Sequence, residues 1–483
     1  MPKKRALPAH AATKWATLIA TGICSLLLAI DFTIVNTSLS TIQRELHTTL
    51  TQLQWVMAGF GLTFCPLLVT MGRLGDHYGR RKLLYLGIAI FGLASLGAGS
   101  SQTPLQLIIA RLFQGGSAAV VFPTGMALTA VAFPESERGR ALGIFGGILG
   151  VGLAIGPVLS GAILTIASWR WIFLINVPGI MIGFILCLFV IKESKSKEII
   201  PIDWRGVILL IVALATLVFA VTEAENFGWD SPWILIPLVI SPVLFAWFAW
   251  SERKTTAPVL PLSLFCNTGF LLGVLINIVG VSFAWPMTFL APLYLQNALS
   301  YPPAMAGLML LPLTALTVIA PQFAGYWYDK KGPRYLILLT YTCAITAFIL
   351  QLFIGAGATI TLFMLAFVMY GTSWGIANGI ATPLALSHLS STDQAGVVTG
   401  AVITVLNVVA VISLSVVGTL FRHLQATAYQ TLATPTSSIH SSVAAWIKTS
   451  YTIGYRGAMG LLLAATVILF IPVIYYFVRQ PRS

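Results

Sequence analysis

Long apolar runs alternate along this chain with short polar stretches. A bilayer core takes roughly 20 apolar residues per helix. By that ruler fourteen spans fall near residues 15–39, 52–72, 83–101, 105–130, 141–166, 171–191, 206–223, 232–250, 269–294, 305–327, 335–355, 359–386, 396–420 and 457–478. The pattern predicts an all-α polytopic membrane protein. The basic start, Met1-Pro2-Lys3-Lys4-Arg5, has the look of a signal peptide. The run behind it, from Trp15 to Leu39, is too long for one and holds no small-residue cleavage site, so it reads as a retained first helix.

The polar stretches orient these spans. With the N-terminus inside, the cytoplasmic loops carry 21 lysines and arginines and the outer loops five, namely Arg44, Arg170, Arg422, Lys448 and Arg456. Positive charge stays inside, so both termini are expected in the cytoplasm. The longest polar loop, about Phe421 to Arg456, then falls outside, with an exposed Ser/Thr-rich middle at Thr434-Pro435-Thr436-Ser437-Ser438.

One charged, glycine-rich stretch, Gly72-Arg73-Leu74-Gly75-Asp76-His77-Tyr78-Gly79-Arg80-Arg81-Lys82, links spans two and three as a tight basic turn. It returns in weaker form from Gly325 through Asp329 and Gly332 to Arg334, between spans ten and eleven. The copies lie 253 residues apart (325 − 72) and share Gly-x-x-x-Asp-x-x-Gly followed by an arginine. A repeat at that distance duplicates one large unit. The offset of eight helices inserts two extra spans between six-helix halves. The expected division is residues 1–191, a linker and two added helices over 192–268, and a second half over 269–483.

Composition narrows the class. The chain is 57% hydrophobic and 8% charged, with a mean hydropathy of +0.90, whereas soluble domains are roughly a quarter charged. Its 27 Lys+Arg against 14 Asp+Glu lie in loops and form no patch, so topology explains them and a nucleic-acid partner is not expected. Cys24, Cys65, Cys187, Cys266 and Cys343 show no CxxC spacing and read as small buried hydrophobes. The six histidines form no pair at ligand spacing, so no metal is expected. No phosphate loop and no nucleophile–base arrangement is present. An enzyme is not expected, nor any cofactor; an ion gradient remains as the energy source.

Several motifs, in order, carry a family resemblance. They are Ile30-Asp31-Phe32-Thr33-Ile34-Val35-Asn36, the loop Gly72–Lys82, Arg111-Leu112-Phe113-Gln114-Gly115, and Gly152-x-x-x-Gly156-Pro157-x-x-Ser160-Gly161. Trp169-Arg170-Trp171-Ile172-Phe173 and Asp203-Trp204-Arg205-Gly206 join them. Across its whole length the chain resembles the major facilitator superfamily and, within it, the fourteen-helix drug:proton antiporters. Ser160 stands where their fifth-helix motif has glycine. The resemblance implies two halves rocking about a midplane cavity and export of an amphipathic small molecule in exchange for protons.

Charge within a span is expensive and marks function. Only Asp31 and Arg111 sit well inside spans. Asp31 lies about 24 Å along span one from its inner end, and Arg111 roughly 21 Å from the inner edge of a 30 Å core. The superfamily fold sets those helices side by side, so Asp31 is expected to carry the proton and Arg111 to tune it; a static pair that only fixes packing is the alternative. Gly72, Gly75, Asp76, Gly79, Arg80, Arg81 and the repeat's Asp329 are expected to form a cytoplasmic gate, with Arg138 and Arg140 as further partners for Asp76 while the inner side is closed. Gly152, Gly156, Pro157 and Gly161 let span five pack closely and, by resemblance, seal the outer gate. Glu223 and Glu225 fall near the outer interface, where a solvated carboxylate costs little; an accessory proton or cation site is the other reading.

Candidate cavity residues are Asn36, Gln54, Gln114, Asn277, Trp285, Phe289, Trp374, Asn378 and Asn407. The tenth span, Met305–Trp327, lacks the acidic residue that some such exporters use for dications, and Ala401–Asn407 lacks the arginine–glutamine pair often seen in the thirteenth. The expected function is therefore a proton-coupled exporter in the bacterial inner membrane, acting as a monomer in the lipid bilayer on neutral, anionic or monocationic amphiphiles. An exporter dedicated to one metabolite, such as a siderophore or lipid, is the alternative within transport. A non-transporting receptor is the alternative outside it.

Overall fold

The computed structural model describes residues 9–196, 201–355, 360–387, 395–433 and 442–479. Among them fourteen helices are long and apolar enough to cross a membrane. In the first half these are α1 (Ala9–Glu45), α2 (Leu50–Tyr78), α3 (Arg80–Gly99), α4 (Pro104–Ala132), α5 (Glu135–Ile166) and α6 (Trp171–Val190). Then come α7 (Trp204–Phe227) and α8 (Pro232–Glu252). The rest are α9 (Thr268–Asn297), α10 (Pro303–Lys331), α11 (Pro333–Leu352), α12 (Ile360–Leu386), α13 (Ala395–Ala433) and α14 (Val443–Arg479).

Local chemistry starts and stops them. Thr49 and Gln52 form a capping box at α2, and Thr103 and Gln106 form one at α4, satisfying amide groups that a first turn leaves orphaned. The basic hairpin is tighter than hydropathy implied. α2 continues through the charged residues to Tyr78, α3 starts at Arg80, and the connection is Gly79 alone, at φ 118°. Its repeat between α10 and α11 is Gly332 alone, at φ 73°. The two left-handed glycines are again 253 residues apart (332 − 79), and that region favours a residue without Cβ.

Within the first half α1 packs on α4, α5 and α6, and α4 also packs on α2 and α3. In the second half α12 packs on α9, α10 and α11, while α14 packs on α11 and α13. The halves meet through α5 on α10, α2 on α13, and α1 on α9. The added helices pair with each other, and α7 docks on α2 and α13. α8 turns Trp233, Val239 and Val243 outward, as a lipid-facing helix does. Of the five cysteines, four are buried and Cys266 is exposed.

Two features depart from the expected boundaries. α9 is interrupted by a π-turn at Ile278–Ser282, whose carbonyls at Val279 and Gly280 accept from the Tyr370 hydroxyl at 2.8 and 3.2 Å. The stretch expected as an outer loop from Phe421 to Arg456 is largely helical: α13 reaches Ala433 and α14 begins at Val443. The run Leu424–Ala433 is too polar for a span, yet contains neither glycine nor proline, so it leaves the apolar layer without leaving the helix. Thr434–Ser438 lies outside the described residues.

Candidate functional site

Asp31 on α1 and Arg111 on α4 face each other, both fully buried, with Nη1 donating to Oδ2 at 2.6 Å. Asp31 Oδ1 accepts from the Asn176 amide on α6 at 2.7 Å and from the Gln114 amide at 3.0 Å. Arg111 Nη1 also donates to Gln114 Oε1 at 2.9 Å, and its Nε donates to the Val56 carbonyl of α2 at 3.3 Å. Gln114 donates in turn to Ser95 Oγ on α3 at 3.0 Å. Five helices thus hold one ion pair, because a charge taken out of water must be paired and hydrogen-bonded. Arg111 Nη2 and Asn176 Oδ1 have no partner among the described residues, which leaves the network spare capacity for rearrangement. Asn176 was legible in one respect: it is the one side-chain amide in the apolar run Trp171–Val190. Ser95 carried no such signal.

A cavity of about 500 Å³ lies between the halves. Its walls are aromatic and aliphatic, with Phe32, Phe60, Phe64, Phe122, Trp285 and Trp374 prominent, and with Thr317, Gln322, Asn378 and Asn407 among its polar groups. Among the described residues no charged side chain lines it. Of the nine cavity candidates, Trp285, Trp374, Asn378 and Asn407 line it. Gln114 serves the ion pair, and Gln54 lies in a network at the far end. Asn36, Asn277 and Phe289 are buried in helix packing.

Phe60 belongs to both sites. Its ring lies 4.6 Å from the Arg111 guanidinium, within cation–π range, and it also lines the cavity. From it an aromatic series runs to Phe32 at 5.7 Å and on to Trp285 of the second half at 5.0 Å. Charge pair and cavity wall are therefore in direct contact.

The cavity occupies the half nearer the basic turns, called here the basic end. On α5 it is lined from Gly143 to Leu153, and on α10 from Thr317 to Gln322. Gly143, Gly146 and Gly147 meet no atom within 4 Å on their would-be Cβ side. The opposite end is sealed. A Cβ on Gly161 would lie 2.7 Å from Ala304 Cα, and one on Gly307 would lie 2.2 Å from the Pro157 carbonyl oxygen. Thr314 donates to the Ala154 carbonyl at 3.2 Å, and Gln296 to the Thr37 carbonyl at 2.8 Å, both across the halves. Gly152 and Gly156 face the other way, onto α1.

Arg422, expected in an outer loop, completes this seal from a buried position. It donates to Gln54 Oε1 on α2 at 3.1 Å, to the Thr222 carbonyl on α7 at 2.7 Å and to Thr419 Oγ1 at 2.9 Å, and reaches Glu225 at 3.3 Å. Glu223 accepts from Trp55 Nε1 at 2.6 Å. The expectation that Glu223 and Glu225 are merely solvated is thereby corrected: α7 sets Glu223 against Trp55 of α2 and Glu225 against Arg422 and His423 of α13, and so links the halves.

At the basic end Asp76 Oδ1 accepts from Arg80 Nε at 2.7 Å. Among the described residues no hydrogen bond or ion pair joins it to Arg138 or Arg140; Arg138 instead reaches Glu135 at 3.6 Å. The turn is bound to the segment after α6, with Arg80 N–H donating to the Ser194 carbonyl at 3.0 Å and Ser196 N–H to the Asp76 carbonyl at 3.1 Å. Glu193 accepts from Arg81 N–H at 3.1 Å and closes over Gly79, a contact with no sequence signal. Gly72 and Gly75 lie in the last turns of α2, Gly75 against Thr124, and Arg81 donates to the Tyr85 hydroxyl at 2.8 Å. Asp329 lies in the last turn of α10.

Two helical halves, sealed at one end and enclosing a central cavity beside a buried ion pair, define a membrane transporter of the alternating-access kind. The family model for the Major Facilitator Superfamily matches residues 21–414, and the chain belongs to that superfamily. It is 33% identical over 390 residues to the multidrug resistance protein Stp of Mycobacterium tuberculosis (strain CDC 1551 / Oshkosh), covering 80% of this chain and 72% of that one. It is 30% identical to the tetracenomycin C resistance and export protein of Streptomyces glaucescens (66% and 60% covered). The methylenomycin A resistance protein of Streptomyces coelicolor is 36% identical, with 63% and 64% covered. Among solved structures, a bacterial homologue of the human lysosomal transporter Spinster superposes with a TM-score of 0.70 over 96% of each chain at 15% identity. The xylose transporter XylE from E. coli gives 0.58 at 12% identity. The protein is a multi-pass transporter of the bacterial inner membrane.

Proposed function

We propose that this transporter exports neutral, amphipathic small molecules from the cytoplasm in exchange for protons, with its basic end in the cytoplasm. One observation carries the reading: an aromatic cavity, without a charged side chain among the described residues, shares Phe60 with the buried Asp31–Arg111 pair. An amphiphile gains from burial against six aromatic rings and finds hydrogen bonds at Asn378, Asn407 and Gln322, but a cation finds no counter-ion. The relatives' names, resistance to tetracenomycin C and methylenomycin A among them, point to toxic natural products.

The conformation with its cavity toward the basic end is then the loading state. Asp31, ionised and held by Arg111, marks the state before proton uptake. Protonation of Asp31 removes the charge Arg111 was paired with, and Arg111 responds through Phe60, on the cavity wall. Release outward requires the seal at Gly161, Gly307 and Arg422 to part while the basic end closes, which is where Asp76 would find Arg138 and Arg140. Cofactors have no part in this cycle, and a single chain supplies the whole of it.

A susceptibility panel tests the substrate class. Cells expressing the protein are expected to tolerate neutral amphiphilic antibiotics several-fold better than cells expressing Asp31→Asn, and to gain little against dicationic biocides. Protection confined to dications would overturn the reading. Protection against one metabolite alone would replace it with the dedicated exporter.

A further inference from the structure

The Asp203-Trp204-Arg205-Gly206 motif lies outside the cavity, the ion pair and the seal. It begins α7 at the basic end, beside the last residue of α8, Glu252. Asp203 Oδ1 caps α7 by accepting from Gly206 N–H at 2.9 Å. Glu252 Oε2 accepts from Leu260 N–H at 2.8 Å. Each carboxyl group therefore spends one oxygen on a backbone amide.

The remaining oxygens, Asp203 Oδ2 and Glu252 Oε1, are both buried and have no hydrogen-bond partner among the described residues. Asp203 is 9% exposed and Glu252 3%. The two oxygens lie 2.5 and 2.4 Å from one point, the place a Cβ would take on Gly206, and so at most 4.9 Å apart (2.5 + 2.4). The absent side chain at Gly206 is what makes room for them.

Arg73 of α2 faces both carboxyl groups. Its Nη1 and Nη2 donate to the Ala257 and Pro258 carbonyls, each at 2.8 Å. Arg205, Arg253 and Lys254 are exposed, and Lys254 is turned over the Trp250 ring at 3.8 Å. Two ionised carboxylates so close would leave two orphaned oxygens and two negative charges against one guanidinium. One shared proton resolves both faults: a single O–H···O bond satisfies both oxygens and leaves one negative charge opposite Arg73. A divalent cation would find two free oxygens and an arginine, where calcium takes about 6–8 oxygen ligands.

We propose that Asp203 and Glu252 form a proton-binding pair, a carboxylic acid hydrogen-bonded to a carboxylate, at the basic end of the added helices. The proton comes from solvent on that side and returns to it. Its loss places a second negative charge beside Arg73, which drops the Ala257 and Pro258 carbonyls to meet it. The segment joining the added helices to the second half is thereby released from α2. The pair is separate from Asp31, and its existence does not depend on the export reading.

Infrared difference spectra of the purified full-length protein across pH test this without any substrate. The wild-type protein is expected to show a protonated-carboxyl band that disappears on alkalinisation and is absent from both Asp203→Asn and Glu252→Gln. Gly206→Ala, whose methyl would stand between the two oxygens, is expected to lose or shift the same band with both carboxyl groups intact. Asp31→Asn should leave it in place. A band unchanged in all three pair variants, or one abolished by sodium or magnesium ions at constant pH, would overturn the proposal. Should one variant fail to fold, the remaining two and the wild-type ion titration still decide.

Discussion

A carboxylate sealed from water depends wholly on its neighbours, and Asp31 takes its support from one guanidinium and two amides. Either replacement leaves the Arg111 charge buried and unpaired, at about 3–5 kcal/mol; asparagine still offers Arg111 a carbonyl acceptor, while alanine also orphans its donors, at about 1–3 kcal/mol more. Asp31→Ala should therefore unfold at a clearly lower temperature than Asp31→Asn in thermal denaturation of the detergent-solubilised protein, although both lose coupling. Equal melting temperatures would mean that the asparagine carbonyl does not take the place of the carboxylate as Arg111's acceptor. Asp31 and Arg111 were legible from sequence because a charge inside an apolar run demands a partner, and their depths matched. Depth along α4 puts Gln114 level with the cavity but says nothing about which way round the helix its side chain points; its amide turns back to the ion pair. Asn176 and Ser95 are small polar residues in apolar runs, and only the packing of α3, α4 and α6 shows what they do.

Helices were the most legible level, and their ends the least. Hydropathy stops where side chains become polar, but the backbone continues while nothing breaks it, so α2 and α10 run through their charged turns to a single glycine. For the same reason Arg422 falls past the end of a span by hydropathy, yet lies inside α13, bound to α2 and α7. The bond to Gln54 crosses from the second half to the first at the sealed end, so parting the halves there has to break it. Arg422→Ala removes the links to Gln54 and Thr222, each charged hydrogen bond being worth about 1.5–3 kcal/mol. It should shift the population at least tenfold toward the state open at that end. Spin-label distances between α2 and α13 at the sealed end would show this as a longer component in the variant; an unchanged distribution would reduce Arg422 to a packing residue. The added pair α7 and α8 thus contributes to the gate through α7, while α8 faces lipid.

At the scale of the molecule, a 253-residue repeat visible in two turns becomes two halves joined at one end and parted by a cavity at the other. The sequence could announce the duplication because left-handed turns demand glycine at Gly79 and Gly332. It could not show which end is closed, since that depends on contacts between residues such as Gly161 and Ala304 that no local pattern records. The central claim is that outward movement of an amphiphile is tied to inward movement of a proton through Asp31. The direct measurement uses proteoliposomes carrying a pH-sensitive dye inside, with the protein oriented so that its basic end faces the bath and a neutral amphiphile is added to that bath. For the wild-type protein the account predicts alkalinisation of the lumen on substrate addition, and an imposed acid-inside gradient should drive accumulation. Asp31→Asn should show neither effect. Accumulation against a gradient by Asp31→Asn, powered by ΔpH as in the wild type, would contradict the account.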